Sequence, residues 1–172
     1  GILTDPYTLY TANHVIEASV AHGAPLYLQS QTYLAPGESV RVYLHAGNVR
    51  RNKDTDLARI SLDRPFFRAG RIGIDPKYDF KNGDQNVYAV CYRNREVVTL
   101  RGHAGFVFHD PQNPTISFYI TDMQGGPGNS GCGVFNARHD LVGLIMAVPK
   151  DKPYRTNLDT GSIIFTDIGN PL

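Results

Sequence analysis

Turn-forming residues interrupt this chain so regularly that no long stretch keeps a helical hydrophobic period. Between them lie short runs rich in Tyr, Val, Ile and Thr, the residue types that suit a pleated, half-buried surface. The runs are Thr8–Ala12, Leu26–Gln31, Ser39–Leu44, Leu57–Ser61, Asn86–Tyr92, Val97–Phe108, Ile116–Asp122, Gly133–Asn136, Leu141–Val148 and Ser162–Thr166. Many short strands without helices predict an all-β sandwich or barrels. The single helical candidate is one short turn over Val15–Ala21. Pro65, Gly70, Gly73 and Pro76 gather near Phe66–Lys81, which predicts a boundary between two β units there.

Composition narrows the class further. The chain has 172 residues, enough for one domain or two small barrels sharing a core. Hydrophobic residues at 41% can fill a core, and charged residues at 19% argue against disorder. A net charge of +1 gives no electrostatic reason to expect nucleic acid. The basic run Arg50, Arg51 and Lys53 reads as a solvated loop. No apolar stretch has the length of a membrane span, and no signal peptide is visible, so Gly1 could begin a mature or excised fragment. No residue pattern calls for a cofactor. The histidines lack metal-ligand spacing, so no metal site is expected. Cys91 sits in the apolar run Val87–Tyr92 and reads as a buried thiol, and Cys132 as structural filler.

The candidate chemistry centres on Gly128-Asn129-Ser130-Gly131. A serine hydroxyl attacks a carbonyl only when a base removes its proton and donors hold the resulting oxyanion. Glycines on both sides let the backbone turn sharply and aim N–H groups outward. Pro127 has no N–H, so the donors fall to Gly128 and Ser130. Upstream, the strand Thr8–Ala12 runs into His14, and Asp56 directly precedes the strand Leu57–Ser61. Asp54 is the rival acid, although strand alternation favours Asp56. The order His14, Asp56, Ser130 is that of chymotrypsin-type enzymes and differs from that of α/β-hydrolases. The other histidines, His22, His45, His103, His109 and His139, read as surface or loop residues.

Three motifs carry a family resemblance. Thr11-Ala12-Asn13-His14-Val15 is similar to the histidine motif of trypsin-like serine peptidases of the chymotrypsin superfamily, and Asp56-Leu57-Ala58 resembles their aspartate motif. Gly128-Asn129-Ser130-Gly131, with Val134-Phe135-Asn136 and Leu141-Val142-Gly143-Leu144 after it, resembles their serine motif. HtrA-type proteases and glutamyl endopeptidases of the disulfide-free bacterial and viral sort are similar in all three. The resemblance implies a double six-stranded antiparallel β-barrel spanning the whole chain. The N-terminal barrel would cover about residues 1–70, with its first strand lacking or replaced, and the C-terminal barrel about 80–172. It implies a serine endopeptidase in which His14, Asp56 and Ser130 form a triad and the Gly128 and Ser130 N–H groups form an oxyanion hole. Its partner would be a peptide or protein substrate. A bacterial enzyme and a viral polyprotein processor both fit, and a non-catalytic protease-like binding module is the alternative.

Asn129 stands where digestive members of the family carry an acid, so the serine loop must be held by its own hydrogen bonds. By motif position Gln124 would floor the primary specificity pocket, and Met146, Ala147 and Val148 would wall it. Ile145 takes the place of a histidine found in glutamate-specific relatives. With no acid in Met123–Pro127, the expected preference is a small or medium apolar residue before the scissile bond.

Overall fold

The computed structural model describes residues 1–29, 39–66, 70–78, 85–93, 96–126, 128–146 and 162–172. The all-β class holds. The first half contains β1 (Ile2–Asp5), β2 (Thr8–Ala12), β5 (Val49–Asn52) and β6 (Leu57–Ser61) in one antiparallel sheet of order β1-β2-β6-β5. A separate antiparallel pair is formed by β3 (Leu26–Gln29) and β4 (Ser39–Val42). Among the described residues this half is an open sheet plus a hairpin and does not close into six strands. β1 lies ahead of β2, where the family resemblance predicts a first strand lacking or replaced.

The second half closes fully. β7 (Asn86–Arg93), β8 (Glu96–His109), β9 (Ser117–Gln124), β10 (Gly133–Asn136), β11 (Leu141–Ile145) and β12 (Ser162–Asp167) form a barrel of order β10-β11-β12-β9-β8-β7. Among the described residues, closure leaves this half no unpaired edge. Its interior holds Val87, Ala89, Cys91, Met123, Val134, Val142, Ile145, Ile163 and Phe165, with Tyr119 stacked on Phe165 at 5.1 Å between ring centroids. Gly143 is obligatory there, since a Cβ at that position would run into the Phe165 ring and the Thr166 carbonyl.

Strand alternation gives the first sheet two apolar faces. Leu9, Ala58 and Ile60 point one way, to Val42, Leu62 and Phe66. Leu57 and Tyr10 point the other way, to Phe135, Leu141, Leu144 and Ile168 of the second half. Leu57 is fully buried between the halves, and truncating such a side chain costs about 2–5 kcal/mol. Thr55 adds a polar tie, its Oγ1 donating to the Pro171 carbonyl at 3.2 Å.

Two local expectations change. The turn after the histidine is a ten-residue helix, α1 (Asn13–His22), whose Ile16 packs into the first core and whose end is marked by Gly23 in the left-handed region at φ 64°. The cysteines are not free: Cys91 and Cys132 form a disulfide, with Cα atoms 5.1 Å apart. Strand register explains the pairing. Gly133 lies opposite Val90, so the residue before β10 lies opposite the residue after Val90 on β7. Each cysteine taken singly looked like core, and only register shows that they meet.

Candidate active site

The histidine owes its position to a helix that cannot cap itself. Ala12 occupies the N-cap, has no side-chain acceptor, and no acid stands in the first turn. The first N–H groups of a helix need partners from elsewhere. Asp56 supplies them from across the sheet: its carbonyl accepts the Asn13 N–H at 2.8 Å and its Oδ1 accepts the His14 N–H at 2.9 Å. The second carboxylate oxygen, Oδ2, lies 2.8 Å from His14 Nδ1. One residue thus caps the helix and clamps the imidazole. To do so Asp56 adopts φ 51°, in the left-handed region, which costs an ordinary residue about 1–3 kcal/mol and clusters at functional positions.

Solvent access differs across the pair. The Asp56 side chain is 10% exposed and that of His14 35%. An ionised carboxylate accepts from Nδ1–H, which leaves the lone pair on Nε2, the nitrogen free to take a proton. Asp54 sits on the exposed turn, its N–H bonded to the Asn52 side chain at 2.9 Å, and takes no part in the clamp.

The serine loop is held mainly by backbone. Gly131 N–H donates to the Ile145 carbonyl at 2.7 Å and Ile145 N–H to the Cys132 carbonyl at 2.9 Å, which fastens the loop to the end of β11. Besides the Cys132 bridge, the Asn129 side chain braces it. Its buried Oδ1 accepts the Gly126 N–H at 2.8 Å, while its own N–H reaches the Gly126 carbonyl at 3.3 Å and its carbonyl accepts from Cys132 at 3.1 Å. Gly128 and Gly131 have φ of 94° and 78°, a region open to glycine at no steric cost. The N–H groups of residues 129, 131 and 132 are therefore engaged. Among the described residues, those of Gly128 and Ser130 donate to no protein acceptor.

The two parts approach each other at Gly131. A Cβ there would stand 2.8 Å from Thr11 Oγ1 and 3.3 Å from the Ala12 nitrogen. Only a glycine lets the serine loop lie this close to the start of α1. Ser130 and His14 form no direct hydrogen bond, and such bonds are often long before substrate arrives.

Residues 1–144 match the model of the trypsin-like peptidase domain. The chain belongs to this family. Solved structures with the same fold include the HtrA-type protease AlgW with decapeptide (18% identity, TM-score 0.62, 96% of this chain and 46% of that one) and Deg5 (18%, 0.59, 86% and 72%). A third is an inactive serine-to-alanine form of Rv3671c from M. tuberculosis (13%, 0.65, 98% and 75%). The chain spans about half the length of the AlgW chains it resembles. No curated protein matches it significantly.

The remaining predicted positions of this trypsin-like domain fall in three places. Gln124 is exposed at the end of β9, opposite Ser162 on β12, its Nε2 3.5 Å from the Asp122 carbonyl. Ile145 belongs to the barrel core, and Met146 to a second cluster with Ile116, Phe118, Ile120 and Ile164. Ala147, Val148 and Pro127 lie outside the described residues. No group of ligating side chains able to hold a metal occurs among the described residues, and no helix there is long and apolar enough to cross a membrane.

Sequence reading missed two contributors. One is the helix-capping role of Asp56, which the bare Ala12 ahead of α1 could have signalled. The other is the contact of Arg51 with Asn13, Nη1 to Oδ1 at 3.3 Å, inside a run read as solvated. A second histidine clamp lies on the barrel wall. Asp122 Oδ1 accepts the His103 N–H at 2.5 Å and Oδ2 faces His103 Nδ1 at 2.8 Å, with both side chains more than 60% exposed. The bond to His103 holds the Asp122 carboxyl below the ordinary carboxylate range.

Proposed function

We propose that this trypsin-like domain is a serine endopeptidase in which Ser130 is the nucleophile, His14 its base and Asp56 the group that orients His14. The observation that carries this reading is the two-bond grip of Asp56 on His14 beside a serine loop with two unengaged N–H groups. Ser130 Oγ attacks a peptide carbonyl as Nε2 takes its proton, and the imidazolium then protonates the leaving amine. Asp56 stabilises that imidazolium without taking the proton. The N–H groups of Gly128 and Ser130 hold the oxyanion, each worth about 3–4 kcal/mol in the transition state. Water then releases the acyl group by the same steps in reverse.

Labelling by a fluorophosphonate probe tests the reading. The wild-type protein should take the probe on Ser130 and Ser130→Ala should not. A protein that remains unlabelled while folded would mark it as a protease-shaped binding module. For specificity the same reading assigns a small or medium apolar residue before the scissile bond, since no acid stands in Met123–Pro127 to meet Lys or Arg and Ile145 takes the place of the histidine of glutamate-specific relatives. A peptide-library profile dominated by Arg, Lys or Glu would refute that assignment. Autocleavage at the chain ends would indicate a polyprotein role.

A further inference from the structure

We propose that Arg51 is a positioning residue for His14, acting through Asn13; the inference rests on the serine-peptidase reading above. Helix α1 brings no cap of its own, so the orientation of His14 depends on what fixes its first turn. Asn13 is fixed from two sides. Its N–H goes to the Asp56 carbonyl at 2.8 Å, and its Oδ1 accepts from Arg51 Nη1 at 3.3 Å. Asn13 is only 4% exposed, so its amide oxygen needs a donor inside the protein.

The topology makes this contact a brace. Arg51 lies on β5 opposite Ala58 of β6, and the turn between these strands carries Asp56. A bond from β5 to Asn13 therefore ties the strand before the aspartate to the residue before the histidine. Asp56 grips the helix start from one direction and Arg51 from another. One helical turn further on, Lys53 Nζ pairs with Glu17 Oε1 at 3.0 Å, but both side chains are largely exposed and such pairs contribute little. The Arg51 contact is charge-assisted and ends on a buried acceptor. Removing it leaves Asn13 Oδ1 without a partner, and the first turn can relieve that only by moving.

The test compares the wild type with Arg51→Met, Arg51→Lys, Asn13→Ala and Lys53→Met. Three quantities are read: the fluorophosphonate parameters kinact and KI, the downfield proton resonance of His14 Nδ1–H assigned by its loss in His14→Ala, and the melting temperature. Arg51→Met and Asn13→Ala should lower kinact by roughly ten- to hundredfold with KI unchanged, the range a small misplacement of a catalytic group produces. The resonance should broaden in both. Arg51→Lys should recover most of kinact, Lys53→Met should match the wild type, and the double variant Arg51→Met/Asn13→Ala should be no worse than either single one. Wild-type kinact and an unchanged resonance in Arg51→Met overturn the proposal, as does a loss confined to melting temperature. A wild-type protein that shows the resonance but takes no label would refute the serine-peptidase reading instead. The resonance in Arg51→Met would still decide the question of Arg51.

Discussion

The two halves hold their share of the site by different means. Among the described residues the first half is an open sheet with a separate hairpin, and its histidine depends on single residues: Asp56, by carbonyl and carboxylate, for the cap and the imidazole, and Arg51 for Asn13. The second half is a closed barrel, and its serine loop depends on backbone bonds to β11, two glycines with positive φ and a covalent bridge to β7. An open sheet leaves its last turn free, so side chains must fix it. A closed barrel fixes its rim by register, and side chains there need only refine it. The His103–Asp122 clamp shows what bonding pattern alone is worth. It repeats the bonds of His14–Asp56, but on an exposed wall, with a carboxylate that caps no helix.

The largest expected effect separates these two clamps. Asp56→Asn should lower the fluorophosphonate labelling rate by about four orders of magnitude, because the wrong tautomer then faces the serine. Asp122→Asn should leave the rate within about twofold, since exposed pairs contribute little. Asp56→Ala should in addition lower stability by about 0.5–2 kcal/mol through loss of the carboxylate that caps the His14 N–H. Equal losses of rate in the two asparagine variants would break the comparison.

Next comes the bridge. Replacing both Cys91 and Cys132 by alanine should lower unfolding free energy by about 2–5 kcal/mol in urea, the usual range for a native disulfide. If register and backbone bonds hold the serine loop, the labelling rate of the folded variant should stay near that of the wild type. A large fall in rate at unchanged stability would mean that the covalent link, and not the barrel, places Ser130.

Legibility in the sequence follows the same division. Most strands were visible because each carries its own alternation and turn residues, as in the run Leu141–Val148, whose described part is β11; β1 and β5 were not, and β5 falls on the basic run read as a solvated loop. The three catalytic candidates were visible because each sits in a local motif. What was hidden depends on pairing between distant segments. Cys91 and Cys132 meet through the register of β7 and β10. Arg51 reaches Asn13 because β5 passes the start of α1. The length of α1 was hidden for a similar reason, since its cap comes from Asp56, 42 residues beyond His14.

A smaller effect is expected at Asn129, where the second half does use a side chain. Asn129→Ala leaves the Gly126 N–H without its acceptor, which should cost about 1–3 kcal/mol and slow labelling as Gly128 drifts. Asn129→Asp keeps an acceptor oxygen and should retain most of both. If Asn129→Ala behaves like the wild type, backbone bonds alone suffice for the loop.

The smallest effect concerns a carboxylate inside the barrel rim. Burial pushes the Asp167 carboxyl above its ordinary range, against the bonds it accepts from Gly169 N–H at 2.7 Å and Tyr119 Oη at 3.2 Å. A raised carboxyl binds its proton more tightly in the folded state than in the unfolded one. Its contribution is therefore complete below the unfolded carboxylate range and is lost as pH rises through the folded value. Urea midpoints measured across that window should fall for the wild type and change less for Asp167→Asn, whose amide oxygen can still accept from Gly169. Parallel curves would show that the closed barrel holds this acid without cost, and that register and packing dominate its rim more completely than the comparison of the halves requires.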